Sequence, residues 1–183
     1  MSILYLHGFA SAVKRISKKY DELGKIDKVV AFAPDYSEGF ASVLSSTFAF
    51  VREQGNIKGV VGTSMGGYLA SHIAAQLKVP CVAINPSIQP SESLKKYVGK
   101  HHNHDGSVYE LTVAQVSTYP DFNTAANSLI IVSNNDAVIP PQLTQAFAQE
   151  KHIPIISCDY GDHRFEDISS LMTPITEHLQ PAQ

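Results

Sequence analysis

The stretch GVVGTSMGGYLASHIAAQL, Gly59 to Leu77, decides how the rest of the chain is read. It opens on Val60 and Val61 and passes through Gly62-Thr63-Ser64-Met65-Gly66. It continues with Tyr68, Leu69, Ile73 and Leu77, spaced as roughly one face of a helix. Gly-x-Ser-x-Gly between a strand and a helix is the pattern of a nucleophile elbow, a strained turn that lifts a serine hydroxyl above a sheet. A side chain two positions before or after the serine would collide with that turn, which calls for glycine at both. The turn also puts Ser64 at a helix N-terminus, where backbone N–H groups without intrahelical acceptors can stabilise a developing anion. A glycine-rich turn carrying a serine by chance reads the same over five residues. The apolar strand before it and the helical pattern after it separate the two.

Composition bounds what surrounds this stretch. At 183 residues the chain is long enough for one domain with a real core. Apolar residues at 44% and charged residues at 17% are ordinary for a soluble globule. The net charge of -3 argues against a general nucleic-acid binder. No run of about 18 apolar residues exists, so no membrane span is expected. Met1 to Leu6 lacks the charged region and cleavage site of a signal peptide. Cys81 and Cys158 lie in apolar, strand-like runs without metal or redox spacing, which predicts two buried free thiols in a reducing cytoplasm. No fixed-period repeat and no low-complexity segment is present.

Strand one is expected at Ile3 to Leu6, followed by His7-Gly8-Phe9. Glycine lets that loop curl over the strand end, so that the N–H of Phe9 points at the same spot as the N–H of Met65. Together they would form an oxyanion hole. His7 is read as shaping the loop through the backbone rather than as catalytic. A helix is expected over Ser17 to Leu23 and strand two over Lys28 to Ala33, with Asp35 organising the next turn. A helix over Phe40 to Glu53 leads into strand three and the elbow. Strand four spans Val79 to Asn85, and its nearly continuous apolar run suits a parallel strand covered on both faces.

Residues 87–124 then break the alternation. This insert is expected to carry a helix at Ser93 to Val98, a second near Ala114, and a mobile polar loop at His101-His102-Asn103-His104-Asp105-Gly106. Long inserts in compact domains are usually functional, and this one is read as a cap over the site. The histidine spacing fits no zinc pattern, so neither metal nor cofactor is expected. Strand five, Leu129 to Ser133, ends in Asn134-Asn135-Asp136 and two prolines. A helix over Gln142 to Gln149 precedes strand six, Ile153 to Cys158, and then Gly161-Asp162-His163. The last helix is expected over Ile168 to His178, split or kinked at Pro174.

Six short strands separated by helices make an α/β fold with a parallel sheet. Right-handed crossovers align the strands' C-terminal ends along one edge, where ligands bind in such sheets. Ser64, Asp136 and His163 each lie just past such an end. Their chain order, Ser then Asp then His, is that of the α/β-hydrolases. In that reading Ser64 attacks an acyl carbonyl, His163 takes its proton, and Asp136 fixes the imidazole tautomer. Asp121, Asp159, Asp162 and Glu166 are weaker acids for the role; His72, His152 and His178 are weaker bases.

Tyr5-Leu6-His7-Gly8-Phe9, Gly62-Thr63-Ser64-Met65-Gly66-Gly67-Tyr68, Asn85-Pro86, Asn135-Asp136 and Gly161-Asp162-His163 together resemble the YqiA/YcfP-like small bacterial esterases, a compact branch of the α/β-hydrolases. The resemblance spans nearly the whole chain. It implies a minimal sheet of strand order 2-1-3-4-5-6 and cleavage of carboxylic esters, with acyl thioesters a further option. Ser64 is kept, which the resemblance associates with active members.

The chain's small size predicts a shallow pocket for short or flexible acyl groups. Phe9, Tyr36, Phe40, Tyr97 and Tyr109 are candidate lining residues. Lys95, Lys96 and Lys100 are candidate contacts for an acyl-CoA phosphate, against the plainer reading of a solvated basic face. Two other readings stay open: a non-catalytic binding protein on the same fold, and a serine hydrolase of another bond type, peptidase or carbon–carbon hydrolase. Nothing in the chain specifies an oligomeric state.

Overall fold

In the computed structural model, which describes residues 1–13, 17–102 and 106–180, eight strands alternate with helices. The strands are β1 (Ser2–Leu6), β2 (Lys28–Phe32), β3 (Ile57–Thr63), β4 (Cys81–Ile84), β5 (Gly99–His102), β6 (Val108–Leu111), β7 (Ser128–Ser133) and β8 (Ile155–Cys158). Six of them form one sheet in the order β2-β1-β3-β4-β7-β8, every pair parallel. Counting only these six gives the expected order 2-1-3-4-5-6. The burial of each strand follows its place. β1, β4 and β7 are buried at every residue, whereas the edge strands β2 and β8 alternate with partly exposed positions.

Side-chain alternation along the strands divides the core in two. On one face Leu4, Leu6 and Val60 pack with α2 (Phe40–Gln54) and α3 (Met65–Leu77) through Val43, Tyr68 and Ile73. On the other, Ile3, Tyr5, Val61 and Ile131 pack with α1 (Lys18–Gly24) and the C-terminal helix (Met172–Leu179) through Leu23, Ile175 and Leu179. That C-terminal helix starts four residues later than expected, after a 3-10 turn at Ser169–Leu171. Pro174 is its third residue, where no intrahelical acceptor is available for an N–H, so the proline begins the helix instead of splitting it. Cys81 and Cys158 are buried free thiols, and burial pushes the Cys81 thiol up to about 12. Among the described residues no helix is long and apolar enough to cross a membrane.

Residues 87–124 differ most from expectation. The helix expected at Ser93 to Val98 is instead α4 (Pro90–Ser93), started by its proline at the first turn, and then a 3-10 turn at Lys95–Tyr97. His101 and His102 belong to β5, which pairs with β6 as an antiparallel hairpin. Residues 103–105 of the expected polar loop lie outside the described residues, and Gly106 follows at φ 85° before β6. In β6 the burial alternates, with Tyr109 and Leu111 inward and Val108 and Glu110 outward, the period of a half-buried strand. α5 (Val113–Val116) carries a capping box between Thr112 and Gln115. The segment is tied down at its far end: the Tyr119 hydroxyl donates to the Tyr36 carbonyl at 2.6 Å, and the Phe122 N–H donates to the Ile88 carbonyl at 2.9 Å. α6 (Pro141–Glu150) connects β7 to β8, and the C-terminal helix is α7.

Candidate active site

The turn from β3 to α3 holds Ser64 at φ 60° and ψ -124°, a left-handed backbone that L-residues rarely adopt. The glycines on either side allow it, through contacts with the backbone rather than with the serine itself. A β-carbon at Gly62 would lie 2.1 Å from the Gly66 carbonyl oxygen, and one at Gly66 would lie 2.0 Å from the Leu6 carbonyl oxygen. No side chain fits at either position, so the turn packs directly onto β1. The Ser64 N–H donates to the Ile84 carbonyl at 2.9 Å, which anchors the turn to β4.

Three loops bring their side chains to this point. Asp136, just past β7, is buried and reaches the Nδ1 of His163 through Oδ2 at 2.8 Å. The Nε2 of His163 is 2.9 Å from the Ser64 hydroxyl. A carboxylate can only accept, so Nδ1 carries the proton and Nε2 turns its lone pair to the hydroxyl. The other Asp136 oxygen, Oδ1, accepts from the N–H groups of Val138 at 2.8 Å and Ile139 at 3.0 Å. Burial pushes the Asp136 pKa up. The His163 hydrogen bond and the two backbone N–H groups outweigh that effect, and the pKa ends below its ordinary value.

The loop carrying His163 is fixed at both ends. Phe165 is fully buried beneath it, and Asp162 turns its carboxylate back to the N–H groups of Arg164 and Phe165 at 2.9 and 3.0 Å. Asp162 therefore shapes the turn and does not face the imidazole. Of the other acids and bases, Glu166 lines the cleft over Ser64, whereas Asp159 and His72 are engaged elsewhere. Asp159 accepts from the Asn134 carboxamide, and buried His72 is bonded to the Asp121 carbonyl with its pKa lowered by burial.

The loop after β1 closes against Ser64. A β-carbon on Gly8 would come within 3.2 Å of Ser64 Cβ. Among the described residues, neither Phe9 nor Met65 donates its N–H to another backbone group. The loop is held from below by the Tyr36 hydroxyl, which donates to the His7 carbonyl at 2.8 Å. The His7 ring bonds the Tyr20 hydroxyl through Nε2.

A cleft of about 930 Å³ opens over Ser64. Phe9, Tyr97 and Tyr109 line it; the Phe9 ring centroid is 5.3 Å from that of Tyr97 and 5.1 Å from that of Tyr109. Tyr36 and Phe40, the other two aromatics expected there, are placed elsewhere. Tyr36 is buried under the loop after β1, and Phe40 packs against Tyr68, His72 and Tyr119 on α3 and the insert.

Two residues not singled out from the sequence as site residues also matter. Lys19 is buried with its ammonium donating to the Thr63 hydroxyl at 3.1 Å and to the Arg164 carbonyl at 2.5 Å, between the elbow and the His163 loop. Asn85 is buried between the Asp136 and His163 loops. A lysine beside Lys18 in a short helix gives no sequence sign of burial, and Asn85-Pro86 reads as a strand terminator. Among the described residues no group of three or more His, Cys, Asp or Glu side chains is placed to hold a metal ion.

The architecture has solved counterparts. Est1E from Butyrivibrio proteoclasticus superposes with a TM-score of 0.69 at 16% identity, covering 96% of this chain and 85% of that one. A Paleococcus ferrophilus monoacylglycerol lipase gives 0.69 at 16% identity, covering 97% and 93%. The esterase domain of a Rhodothermus marinus protein gives 0.66 at 17% identity, covering 96% and 83%. At these identities the likeness establishes an α/β-hydrolase fold. Residues 2–180 match the model described as "Uncharacterised protein family (UPF0227)", and the chain belongs to that family.

Proposed function

We propose that this protein is a carboxylic ester hydrolase that works through an acyl-enzyme on Ser64. The observation that carries the proposal is the unbroken relay from Ser64 Oγ to His163 Nε2 at 2.9 Å and from His163 Nδ1 to Asp136 Oδ2 at 2.8 Å. Substrate would enter the cleft with its carbonyl carbon above the hydroxyl. His163 takes the serine proton as the oxygen attacks, and the Asp136 carboxylate stabilises the resulting imidazolium. The carbonyl oxygen becomes an oxyanion, which the N–H groups of Phe9 and Met65 would receive. His163 then passes its proton to the leaving alkoxide. Water, deprotonated by the same imidazole, hydrolyses the acyl-serine and restores the starting state.

The cleft volume of about 930 Å³ favours longer or bulkier acyl groups than the short ones expected from chain size. The hairpin and the Lys95–Tyr97 turn, which bring Tyr97 and Tyr109 to the cleft wall, would serve as its cap. Thioesters extend the same proposal. Lys96 is the lysine of the 95–100 group that lines the cleft, and it would meet a substrate phosphate at the rim. Lys95 is engaged with Glu92 at 2.7 Å. A fluorophosphonate tests the core of the reading: it labels the wild-type protein and not Ser64→Ala, and Ser64→Ala loses turnover of p-nitrophenyl esters. Folded wild-type protein left unlabelled refutes it. Butyryl-CoA untouched by enzyme that cleaves p-nitrophenyl butyrate removes the thioester extension alone.

A further inference from the structure

We infer that Asn85 is a positioning residue whose carboxamide locks the loop carrying Asp136 to the loop carrying His163. The inference rests on the hydrolase reading above. Asn85 follows β4 directly, with φ 43°, a conformation that asparagine, aspartate and glycine accept better than other residues. Its backbone N–H donates to the Ile131 carbonyl at 2.7 Å and continues the β4–β7 ladder by one bond. Its side chain then crosses to the neighbouring loops. Oδ1 accepts the Ser133 N–H at 2.8 Å, three residues before Asp136. Nδ2 donates to the Asp162 carbonyl at 2.9 Å and to the His163 carbonyl at 3.1 Å.

The orientation of the amide is forced, because two carbonyls require the nitrogen and one N–H requires the oxygen. Both donors and the acceptor are used in a group only 2% exposed. One planar side chain therefore fixes the backbone of His163 relative to the strand end that presents Asp136. The 2.8 Å contact between these two residues joins positions 27 apart in the chain, and its length depends on how the two loops are registered. The Ser133 hydroxyl, which donates to the Gly161 carbonyl at 2.9 Å, reinforces the same registration but does not reach the His163 backbone. No other residue type satisfies both requirements here. Aspartate would set an oxygen against two carbonyls, and leucine would take the partner from the Ser133 N–H and the His163 carbonyl, the Asp162 carbonyl keeping its bond from the Phe165 N–H at 3.2 Å.

The test uses Asn85→Asp, which keeps the shape, tolerates the positive φ and keeps the acceptor for Ser133, but removes both donors. A misplacement on the order of 1 Å costs about 100-fold, so kcat is expected to fall by roughly that factor with little change in KM. In the wild-type protein the Nδ1 proton between His163 and Asp136, across 2.8 Å, is expected to give a far-downfield proton NMR resonance. In the variant that resonance moves upfield or is lost. A folded variant with wild-type kcat and an unshifted resonance overturns the inference, even if its melting temperature drops. Asn85→Gly, which accepts the backbone conformation and deletes the amide, is read in the same way. Loss of folding in both variants also overturns it, since the amide would then be holding the sheet and not aiming the imidazole. If the wild-type protein is not labelled at Ser64, the hydrolase reading falls separately, and the resonance still decides whether Asn85 sets the His163–Asp136 geometry.

Discussion

Replacing Asp136 with asparagine isolates what the carboxylate does for His163. The new amide has no freedom to choose its orientation. The atom at the Oδ1 position must accept from the N–H groups of Val138 and Ile139, so it must be the amide oxygen. The NH2 group then takes the Oδ2 position, 2.8 Å from His163 Nδ1. It can only donate, so Nδ1 has to accept and the imidazole proton moves to Nε2, the atom 2.9 Å from the Ser64 hydroxyl. A protonated Nε2 cannot take the serine proton. Wrong-tautomer locking of this kind costs about 10,000-fold in kcat, or about 5.4 kcal/mol of barrier. Because the two backbone hydrogen bonds survive, the variant should fold normally. The assay is steady-state hydrolysis of p-nitrophenyl butyrate, with melting temperature as the control for folding. Asp136→Ala frees the tautomer while losing the charge, so it should retain at least as much activity as Asp136→Asn. An Asp136→Asn enzyme that is clearly faster than Asp136→Ala, or within about tenfold of wild type against the expected four orders of magnitude, refutes the tautomer argument.

Gly66→Ala puts a β-carbon 2.0 Å from the Leu6 carbonyl oxygen, backbone against backbone, and should destabilise the fold by about 3 kcal/mol or more in urea titration. Tyr36→Phe removes the donor to the His7 carbonyl and should cost about 1–3 kcal/mol of stability by the same measurement, with no loss expected only if that carbonyl finds water. The lowered pKa of Asp136 fixes a pH dependence. A carboxylate with a depressed folded pKa contributes stability that is fully present above its unfolded value, about 3.9, and is lost as pH falls through the lower folded one. The melting-temperature gap between wild type and Asp136→Asn should therefore persist at pH 5 and close below about pH 4; a gap that has closed by pH 5 contradicts it.

The elbow was legible because backbone geometry dictated residue identity. Gly62 and Gly66 are there since nothing larger fits against Gly66 and Leu6, and such constraints leave a mark in sequence. The positions of Asp136 and His163 past strand ends followed from parallel topology, which needs only the apolar runs and their order. The β5–β6 hairpin was hidden by its polar first strand, although Tyr109 and Leu111 carried the two-residue alternation. Aromatic identity did not say which side chain reaches the cleft. Tyr36 turned to the His7 carbonyl beneath the loop, whereas Tyr109 came to the Phe9 ring. The cleft exceeds what chain length suggested because its walls are raised by the insert and by the loop after β1, through Tyr97, Tyr109 and Phe9. Lys19 and Asn85 were illegible for one shared reason: their partners, Thr63, Arg164, Ser133 and His163, are 44 or more residues away.

The central claim is that Ser64 becomes acylated during turnover. Mixing the wild-type protein with p-nitrophenyl butyrate, quenching in acid within the first turnover and mapping peptides by mass spectrometry tests it directly. A butyryl group on the peptide containing Ser64, absent in Ser64→Ala and accumulating with a burst of nitrophenol, is the expected result. Ester cleavage with no acyl group on Ser64, or with the group on another residue, contradicts the account.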